Sequence, residues 1–404
     1  MSIFFHIDVN SAFLSWSALE ELKNGSPVDI RTIPSIVGGD TQKRHGIVLA
    51  KSIPAKAYGI QTAEPVVNAF RKCPTLVMVP PNHTMYQERS HALMNYISNI
   101  CPDIEQVSID ECYMDYSPIS DKYTSPKQAA TIIKDSIFEE FGFTVNIGIS
   151  DRKVLAKMAS DFKKPNLVHT LYQHEIPTKL WPLPVSSLYM CGQSSVETLH
   201  KLGITTIGEL AHSDTDILRA HLKSHGTTLW EYANGIDSSV VGAQPAKLKG
   251  IGNSVTLSRD AVTKEDAYHA LLGLAESVGR RVRASGELAS MISTEIKYAT
   301  FQSASHQTTL ETPSDSTDKI YQTACHLFDE MWDSSPVRLL GIRVSKLVSN
   351  TAPTQLSLFD YQQTTPDSEK QKKLNTALDS LRAKYGKDII KRGSLLDSPD
   401  EYKS

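Results

Sequence analysis

Residues 2–8 (SIFFHID) form a short apolar, aromatic run that closes on an aspartate. The stretch after it, NSAFLSWSALEELKNG, repeats its apolar positions at helical spacing up to Gly25. The pattern predicts a strand leading into a helix. From Val28 to about Pro80 glycines and small polar residues are frequent (GGD at 38–40, YGI at 58–60) and one strand stands out at 47–50, so this stretch reads as a small module of short elements. Beyond it come LVMVP (76–80), a helical stretch from about Thr84 to Ile100, the run IEQVSIDECYMDY, a helix over 126–141 and a strand VNIGIS (145–150). Joined to the first strand, these predict a mixed sheet covered by helices, in the order of a split βαββαβ unit with the small module inserted.

From about Asp151 to Tyr232 the pattern is mainly helical, with breaks at KPN (164–166), WPLP (181–184), CGQ (191–193) and LGITT (202–206). The segment SSVVGAQPAKLKG (238–250) has no period and reads as a linker. A strand over 251–258, a helix over 263–286, strands near 290–300 and 305–311, a helix over 316–333 and a strand over 337–348 then predict a second βαββαβ domain. In its last strand Ile342 and Val344 alternate with Arg343 and Ser345, so one face packs on the helices and the other offers a cation and a hydroxyl. Residues 349–404 form a polar tail with one apolar island, QLSLF, and a helical stretch at about 369–385.

Composition narrows the class. The chain has 404 residues, 40% hydrophobic and 22% charged, enough for several cores and unlike a disordered or collagen-like chain. No run approaches the roughly 20 apolar residues of a membrane span, and the start lacks the features of a secretory signal, so a cytoplasmic protein without a membrane partner is expected. Cys73, Cys101, Cys112, Cys191 and Cys325 lie far apart with no C-x-x-C pair, which suggests neither a zinc site nor a disulfide scaffold. The net charge is -3. If a polyanion is bound, positive charge has to be placed locally.

Three acids are candidates for chemistry. Asp8 ends a strand of buried type, and Asp110 with Glu111 interrupts another, VSIDECYMD, whose neighbours are apolar. Charges at sheet centres are costly unless paired or metal-bound. Three carboxylates together would suit Mg²⁺, and a pair of such ions assists in-line phosphoryl transfer. The other reading is that Asp8 caps the next helix while Asp110 and Glu111 sit exposed at a hairpin bend. Adjacent strand residues also point to opposite faces, so Asp110 and Glu111 can share a metal only where the backbone bends.

The motifs HIDVNSAFLSW, AKSIPAKAYGI, VSIDECYMD and KVLAKMASDFKKPN, in that order, resemble the Y-family of translesion DNA polymerases over nearly the full chain. The resemblance implies that Asp8, Asp110 and Glu111 are the catalytic ligands of two Mg²⁺ ions, with the carbonyl of Val9 completing the nucleotide-metal site. It places Phe13 as the steric gate against C2′ of the incoming sugar, and Lys56 and Lys164 as phosphate contacts. The N–H groups of Ala12 and Phe13, at a helix start, are natural triphosphate donors. Ile53 and Lys56 stand where the polymerase IV pattern usually carries tyrosine and arginine, and a lysine cannot reproduce the bidentate hold of arginine on phosphate. The DVN of the first motif, Lys56 and the tail KYGKDIIKRGSLL look closer to the UmuC-type branch.

By the same resemblance LPVSSLYMCGQSSVETLHKLGITTIGEL is the thumb helix-hairpin-helix, with Gly192 in a turn that has lost one glycine of the usual pair. The second βαββαβ domain is the little finger, whose acidic and basic side chains are about equal in number. Lys297, Arg343 and Ser345 are its candidate DNA contacts on alternation grounds. QLSLF resembles the bacterial sliding-clamp motif, with Gln355, Leu356, Leu358 and Phe359 as its contact residues. The helix at 369–385 belongs to neither reading and could meet DNA or a recombination-filament partner.

The expected fold is therefore an α+β multidomain right-hand polymerase: ferredoxin-like palm (1–10 and 82–165), small fingers (11–81), helical thumb (166–237), linker (238–250), βαββαβ little finger (251–348) and a tail (349–404). The expected function is template-directed, lesion-tolerant DNA synthesis by a monomer on primer-template DNA with dNTPs, Mg²⁺ and a sliding clamp. One rival is an adaptor on the same fold without catalysis, though such relatives lose the acidic triad that this chain keeps. Others are a UmuC-type enzyme needing a UmuD-like partner, and a nucleotide cyclase, which needs no grip on a primer-template.

Overall fold

The computed structural model describes residues 2–39, 46–242, 247–351, 366–386, 389–390 and 392–393. The chain forms two compact units, one of Met1–Gly39 with Ile47–Pro245 and one built on Ala246–Ser404.

The first unit opens with β1 (Phe4–Val9) and α1 (Ala12–Lys23), then a small sheet of β2 (Ser35–Gly38), β3 (Val48–Lys51) and, after α2 (Ile53–Ala57) and α3 (Val66–Lys72), β4 (Val77–Val79). Its order is β3-β2-β4, with β2 antiparallel to β3 and parallel to β4. The hydrophobic pattern discloses β3 and β4 but not β2, whose four buried residues SIVG are too few for an alternation to register. Leu14 and Ala18 of α1 pack with Ile30, Val37 and Ala50, while Trp16 of the same helix enters the core of the main sheet.

That sheet follows: α4 (His83–Ile100), β5 (Ile104–Gln106), β6 (Glu111–Asp115), α5 (Pro126–Phe141), β7 (Val145–Ser150), α6 (Lys153–Ser160) and β8 (Val168–Thr170). The strand order is β5-β6-β1-β7-β8, so β6 divides the β1–α4–β5 unit and β1 divides the β6–α5–β7 unit. Phe5, Ile7, Val9, Met114, Ile147 and Ile149 pack against Leu93 and Ile97 of α4 and Ile133 and Ile137 of α5. The other face is crossed by α6, which also explains why β7 is buried at all six positions. The approach is close at Gly148, where a Cβ would lie 2.0 Å from the Ala156 carbonyl oxygen. The sheet continues past the expected palm end at 165, because β8 pairs in parallel with β7.

Five short helices come next: α7 (Ile176–Lys179), α8 (Gln193–Lys201), α9 (Ile207–Ala211), α10 (Thr215–Leu222) and α11 (Ser224–Ala233). They enclose a core of Leu180, Leu199, Ile207, Leu218 and Leu229 that Leu155 and Met158 of α6 share. Thr206 and Glu209 form a capping box at the start of α9.

The second unit runs β9 (Gly250–Ala261), α12 (Lys264–Ala284), β10 (Glu287–Tyr298), β11 (Ser303–Ser314), α13 (Thr317–Met331) and β12 (Val337–Ser349). Its antiparallel sheet has the order β11-β10-β12-β9. The element string is the expected βαββαβ, but the second and fourth strands are central here, whereas the first and third are central in the main sheet of the first unit. Leu271, Leu274 and Val278 of α12 and Phe328 of α13 cover Ile292, Ile296 and Leu340. The tail adds α14 (Pro366–Tyr385), docked on the helical layer through charge. Arg283 donates to Asp379 (2.6 and 3.2 Å) and Arg382 to Glu276 (3.0 Å), while Arg392 donates to Glu276 and Asp318 (2.8 and 2.7 Å). The QLSLF island lies outside the described residues. Among those described, no helix is long and apolar enough to cross a membrane.

Candidate active site

Alternation along β1 sends Phe5, Ile7 and Val9 into the core and leaves His6 and Asp8 on the face that α6 crosses. The β1–β6 register sets Asp8 opposite Glu111, and one atom each of His6, Asp8 and Glu111 lies within 4.8 Å of the others. Asp110 precedes β6 in a bend, not in the strand. Its carbonyl accepts from the Val9 N–H (3.0 Å) and its carboxylate from the Ser108 hydroxyl (2.7 Å). The bend takes Asp110 out of the strand alternation, but its carboxylate is not one of the groups that lie within 4.8 Å of one another. Asp8 does not cap α1, whose N-cap is Ser11 in the left-handed region at φ 47. Asp110 is half-buried, not exposed.

The electrostatics of the acids differ. Burial pushes the Asp110 carboxyl up, and the charges of Asp8 and Glu111 add to the rise against the Ser108 hydrogen bond. Glu111 moves the other way, to about 2, because the His6 ring and Lys157 outweigh its burial. His6 Nε2 stands 3.2 Å from Glu111, and its Nδ1 is hydrogen-bonded to the Ser160 hydroxyl at 2.8 Å. Burial lowers the pKa of that ring.

Two lysines balance the acids. Lys157 of α6 lies 3.0 Å from Glu111, 3.5 Å from Asp8 and 3.3 Å from Asp161. Lys164 reaches Asp8 at 3.0 Å and Asp161 at 2.9 Å. Burial alone would lower both ammonium groups, but the surrounding carboxylates win and both are raised. The loop that carries Lys164 is pinned by two buried asparagines. Asn10 accepts from the Asn166 N–H (2.9 Å) and the Thr144 hydroxyl (3.0 Å), while Asn146 accepts from the Leu167 N–H (3.1 Å) and donates to the carbonyls of Ser160 and Lys163 (3.0 and 2.7 Å).

These residues suit a divalent cation. Asp8 and Glu111 share their lysines with Asp161, and Asp110 makes no ion pair among the described residues, so carboxylate charge is left over in a half-buried place. Carboxylate oxygens are the donors that such hard cations take.

Beside the acids opens a cleft of about 330 Å³ walled by α1, β3, α2 and the Lys164 loop. Lys56 and Lys164 both line it, with Arg31, Lys51 and Ser11. Ala12 and Phe13 form the first turn of α1, whose N–H groups have no acceptor within the helix. The Phe13 ring stacks on Tyr86 (4.5 Å, 12°) and meets His83 edge-on (6.2 Å), and the Tyr86 hydroxyl is anchored to Ser17 (2.7 Å).

The remaining candidates lie elsewhere. Gly192 is the N-cap of α8 in extended backbone with nothing within 4 Å of a Cβ, and the left-handed residue of that turn is Met190 (φ 70). In the second unit Lys297, Arg343 and Ser345 share the face of the sheet not covered by α12 and α13, and Arg343 lines a cleft of about 630 Å³ there with Ser293, Ser305 and Glu295. Sequence reasoning missed His6, Lys157, Asn10 and Asn146. His6 could have been found, since it lies two positions before Asp8 and so shares its face; Lys157 lies within a motif already singled out.

The chain matches the impB/mucB/samB family over residues 7–161 and that family's C-terminal domain over residues 248–358. It is 45% identical to the DNA polymerase IV of Clostridium acetobutylicum across 99% of both chains. It is 37% identical to DNA polymerase IV 1 of Bacillus subtilis, over 98% of this chain and 93% of that one. Both carry the polymerase IV name, not that of the UmuC-type branch towards which Lys56 and the tail leaned. Among solved structures, a Y-family DNA polymerase chimera superposes with a TM-score of 0.74 at 21% identity, covering 86% of this chain and all of the other.

Proposed function

We infer the working of the site from one premise: the chain belongs to the impB/mucB/samB family, the Y-family DNA polymerases, and is a translesion DNA polymerase. Its substrates are primer-template DNA and dNTPs, and its reaction joins the primer 3′-hydroxyl to the α-phosphorus of a dNTP with release of pyrophosphate.

The observation that carries the assignment of residues is the meeting of Asp8 and Glu111 across the β1–β6 pair, with Asp110 in the adjoining bend. Asp8, Asp110, Glu111 and the carbonyl of Val9 are proposed to hold two Mg²⁺ ions. Bound there, the ions would acidify the 3′-hydroxyl and neutralise charge on the phosphates. Lys157 pairs with Asp8 and Glu111 and, with His6 at 3.2 Å, favours the charged form of Glu111. Lys164, which joins Asp8 to the cleft, and Lys56 in the same lining take the phosphates with the N–H groups of Ala12 and Phe13. Phe13, held flat by Tyr86, closes the space at C2′ of the sugar.

Gly192 lets the thumb turn approach the DNA backbone, and Lys297, Arg343 and Ser345 grip the duplex from the open face of the second sheet. QLSLF, through Gln355, Leu356, Leu358 and Phe359, tethers the enzyme to a sliding clamp and so raises its concentration at primer ends. The test is primer extension by the full chain with Mg²⁺ and dNTPs on undamaged and abasic templates, beside Asp110→Asn. Extension by wild type and none by the variant is expected. No extension by either, with DNA still bound, would favour an adaptor or an enzyme lacking its activating partner.

A further inference from the structure

We propose that Lys51 is a triphosphate-binding residue of this polymerase, gripping the terminal phosphates of the incoming dNTP together with Lys56. The inference rests on the polymerase reading above and extends it to a residue that the sequence motifs did not single out.

Four cations line the cleft beside the acids, Arg31, Lys51, Lys56 and Lys164, and no acid is among its lining residues. Two of the four are already engaged. Arg31 is clamped by Asp29 (2.8–3.0 Å) and donates to the Gly142 carbonyl (2.8 Å), which fixes it as wall. Lys164 is paired with Asp8 and Asp161. Lys51 and Lys56 have no ion pair and no side-chain hydrogen bond among the described residues. Glu64, the acid whose charge reaches Lys51, is bound by Lys72 at 2.6 Å.

A half-buried lysine beside a second lysine, both without counter-ions, is unfavourable unless an anion completes the site. Burial lowers the Lys51 ammonium below its usual range and the neighbouring Lys56 adds to the fall, which shows that the two charges feel each other. Lys51 is the last residue of β3, and Ser52, whose hydroxyl caps α2, fixes the turn that carries Lys56. Both ammonium groups are thus presented from one rigid corner, the small sheet and its helix.

Lys164, joined to Asp8, ties the cleft to the acids, where the α-phosphate would react. Lys51 and Lys56 are supplied by separate elements of the same lining, β3 and α2, and are therefore assigned the terminal phosphates. An ammonium offers one point of charge where a guanidinium offers a fork, and two lysines can supply together what Lys56 alone cannot.

The experiment is steady-state incorporation of a single nucleotide by the full chain, with wild type, Lys51→Gln and Lys51→Arg, and with pyrophosphate as a competing product. The expected result for Lys51→Gln is a dNTP KM raised about tenfold or more with kcat nearly unchanged, and a pyrophosphate inhibition constant raised in step. Lys51→Arg restores both. Unchanged KM and pyrophosphate inhibition in Lys51→Gln, beside an active wild type, would overturn the proposal. So would a loss that tracks a fall in melting temperature and that arginine does not rescue, since that is the signature of packing. Failure of the wild type itself to extend a bound primer would instead strike the polymerase reading, which keeps the two distinct.

Discussion

Gly148→Ala tests whether the seat of α6 on β7 sets both the stability of the first unit and the order of its site. The new Cβ would stand 2.0 Å from the Ala156 carbonyl oxygen and 2.4 Å from the Ser160 nitrogen, both backbone atoms that no rotamer change can move. For ordinary contact, which begins at 3.4 Å, α6 has to withdraw by about 1.4 Å. Val154, Leu155, Met158 and Ala159 on that helix are buried in the core of the helical segment, so the retreat opens packing on both sides. Overpacking of a well-filled core costs roughly 1–3 kcal/mol, and backbone contacts on two residues place this case near about 3. For a cooperative unit of this size that is a fall in Tm of roughly 6–12 °C. Lys157, 3.0 Å from Glu111, and Ser160, 2.8 Å from His6, ride on the same helix and move with it. Misplacement by an ångström can lower turnover by about 10²-fold. The control is Gly192→Ala, where φ is -74 and nothing lies within 4 Å, so Tm stays within about 2 °C of wild type. Thermal melts with single-nucleotide incorporation at 25 °C give both readings. A Gly148→Ala protein with wild-type Tm and turnover, or a Gly192→Ala protein with an equal fall in Tm, would refute the reasoning.

Four further outcomes are expected. Glu111→Gln lowers Tm at neutral pH, because a carboxylate held down from 4.5 to about 2 contributes stability that is full above the higher value and lost as pH falls towards the lower one. Asp110→Asn has the opposite sign: burial raises that carboxyl, its charged form costs stability at pH 7, and the gain of the variant over wild type vanishes in acid; melts of the metal-free protein across pH that gave both variants one sign would refute the pair. Phe13→Val, which removes the ring stacked on Tyr86, lowers discrimination against ribonucleotides by about 10²-fold while dNTP incorporation persists, and an unchanged rNTP/dNTP ratio would remove the ring from the sugar pocket. Arg343→Glu weakens primer-template binding, with a salt slope shallower by about one; equal binding at all salt concentrations would take that face out of the interface.

The second unit was the most legible, because α12 at 21 residues and strands of 12 and 13 residues carry enough periods to separate helix from strand. Its strand order was not, since the same string of elements can interleave in two ways and only tertiary packing chooses. In the first unit β2 and β8, of four and three residues, gave no period at all. Asp8 and Glu111 were readable as charges at the margins of apolar runs. The bend that admits Asp110 was not, because it depends on a hydrogen bond from Val9, which is 101 positions away in sequence. His6 shares the face of Asp8 by alternation alone, yet its fixing partner Ser160 lies 154 positions along the chain. The turn at Gly192 shows the limit of reading a glycine by its identity: the left-handed residue there is Met190, so any need for glycine at 192 comes from what approaches it and not from the backbone.

A net charge of -3 requires that positive charge for a polyanion be placed locally, and the cleft beside the acids has such a local concentration. At physiological salt the field of an exposed charge is screened within about 8 Å, so an anion responds to the wall next to it and not to the total over 404 residues. That wall carries Arg31, Lys51, Lys56 and Lys164 without an acid among its lining residues. Some acids elsewhere are taken up in pairs with structural roles, such as Asp379 with Arg283 and Glu276 with Arg382, which fasten α14. The candidate site acids differ: Asp8 and Glu111 share Lys157, and Asp110 has no ion pair among the described residues. Negative charge is therefore concentrated around Asp8 and Glu111 and positive charge along the neighbouring cleft. Sequence totals hide this separation, because it is made by folding residues 8 and 111 together beside a cleft lined by residues 31, 51, 56 and 164.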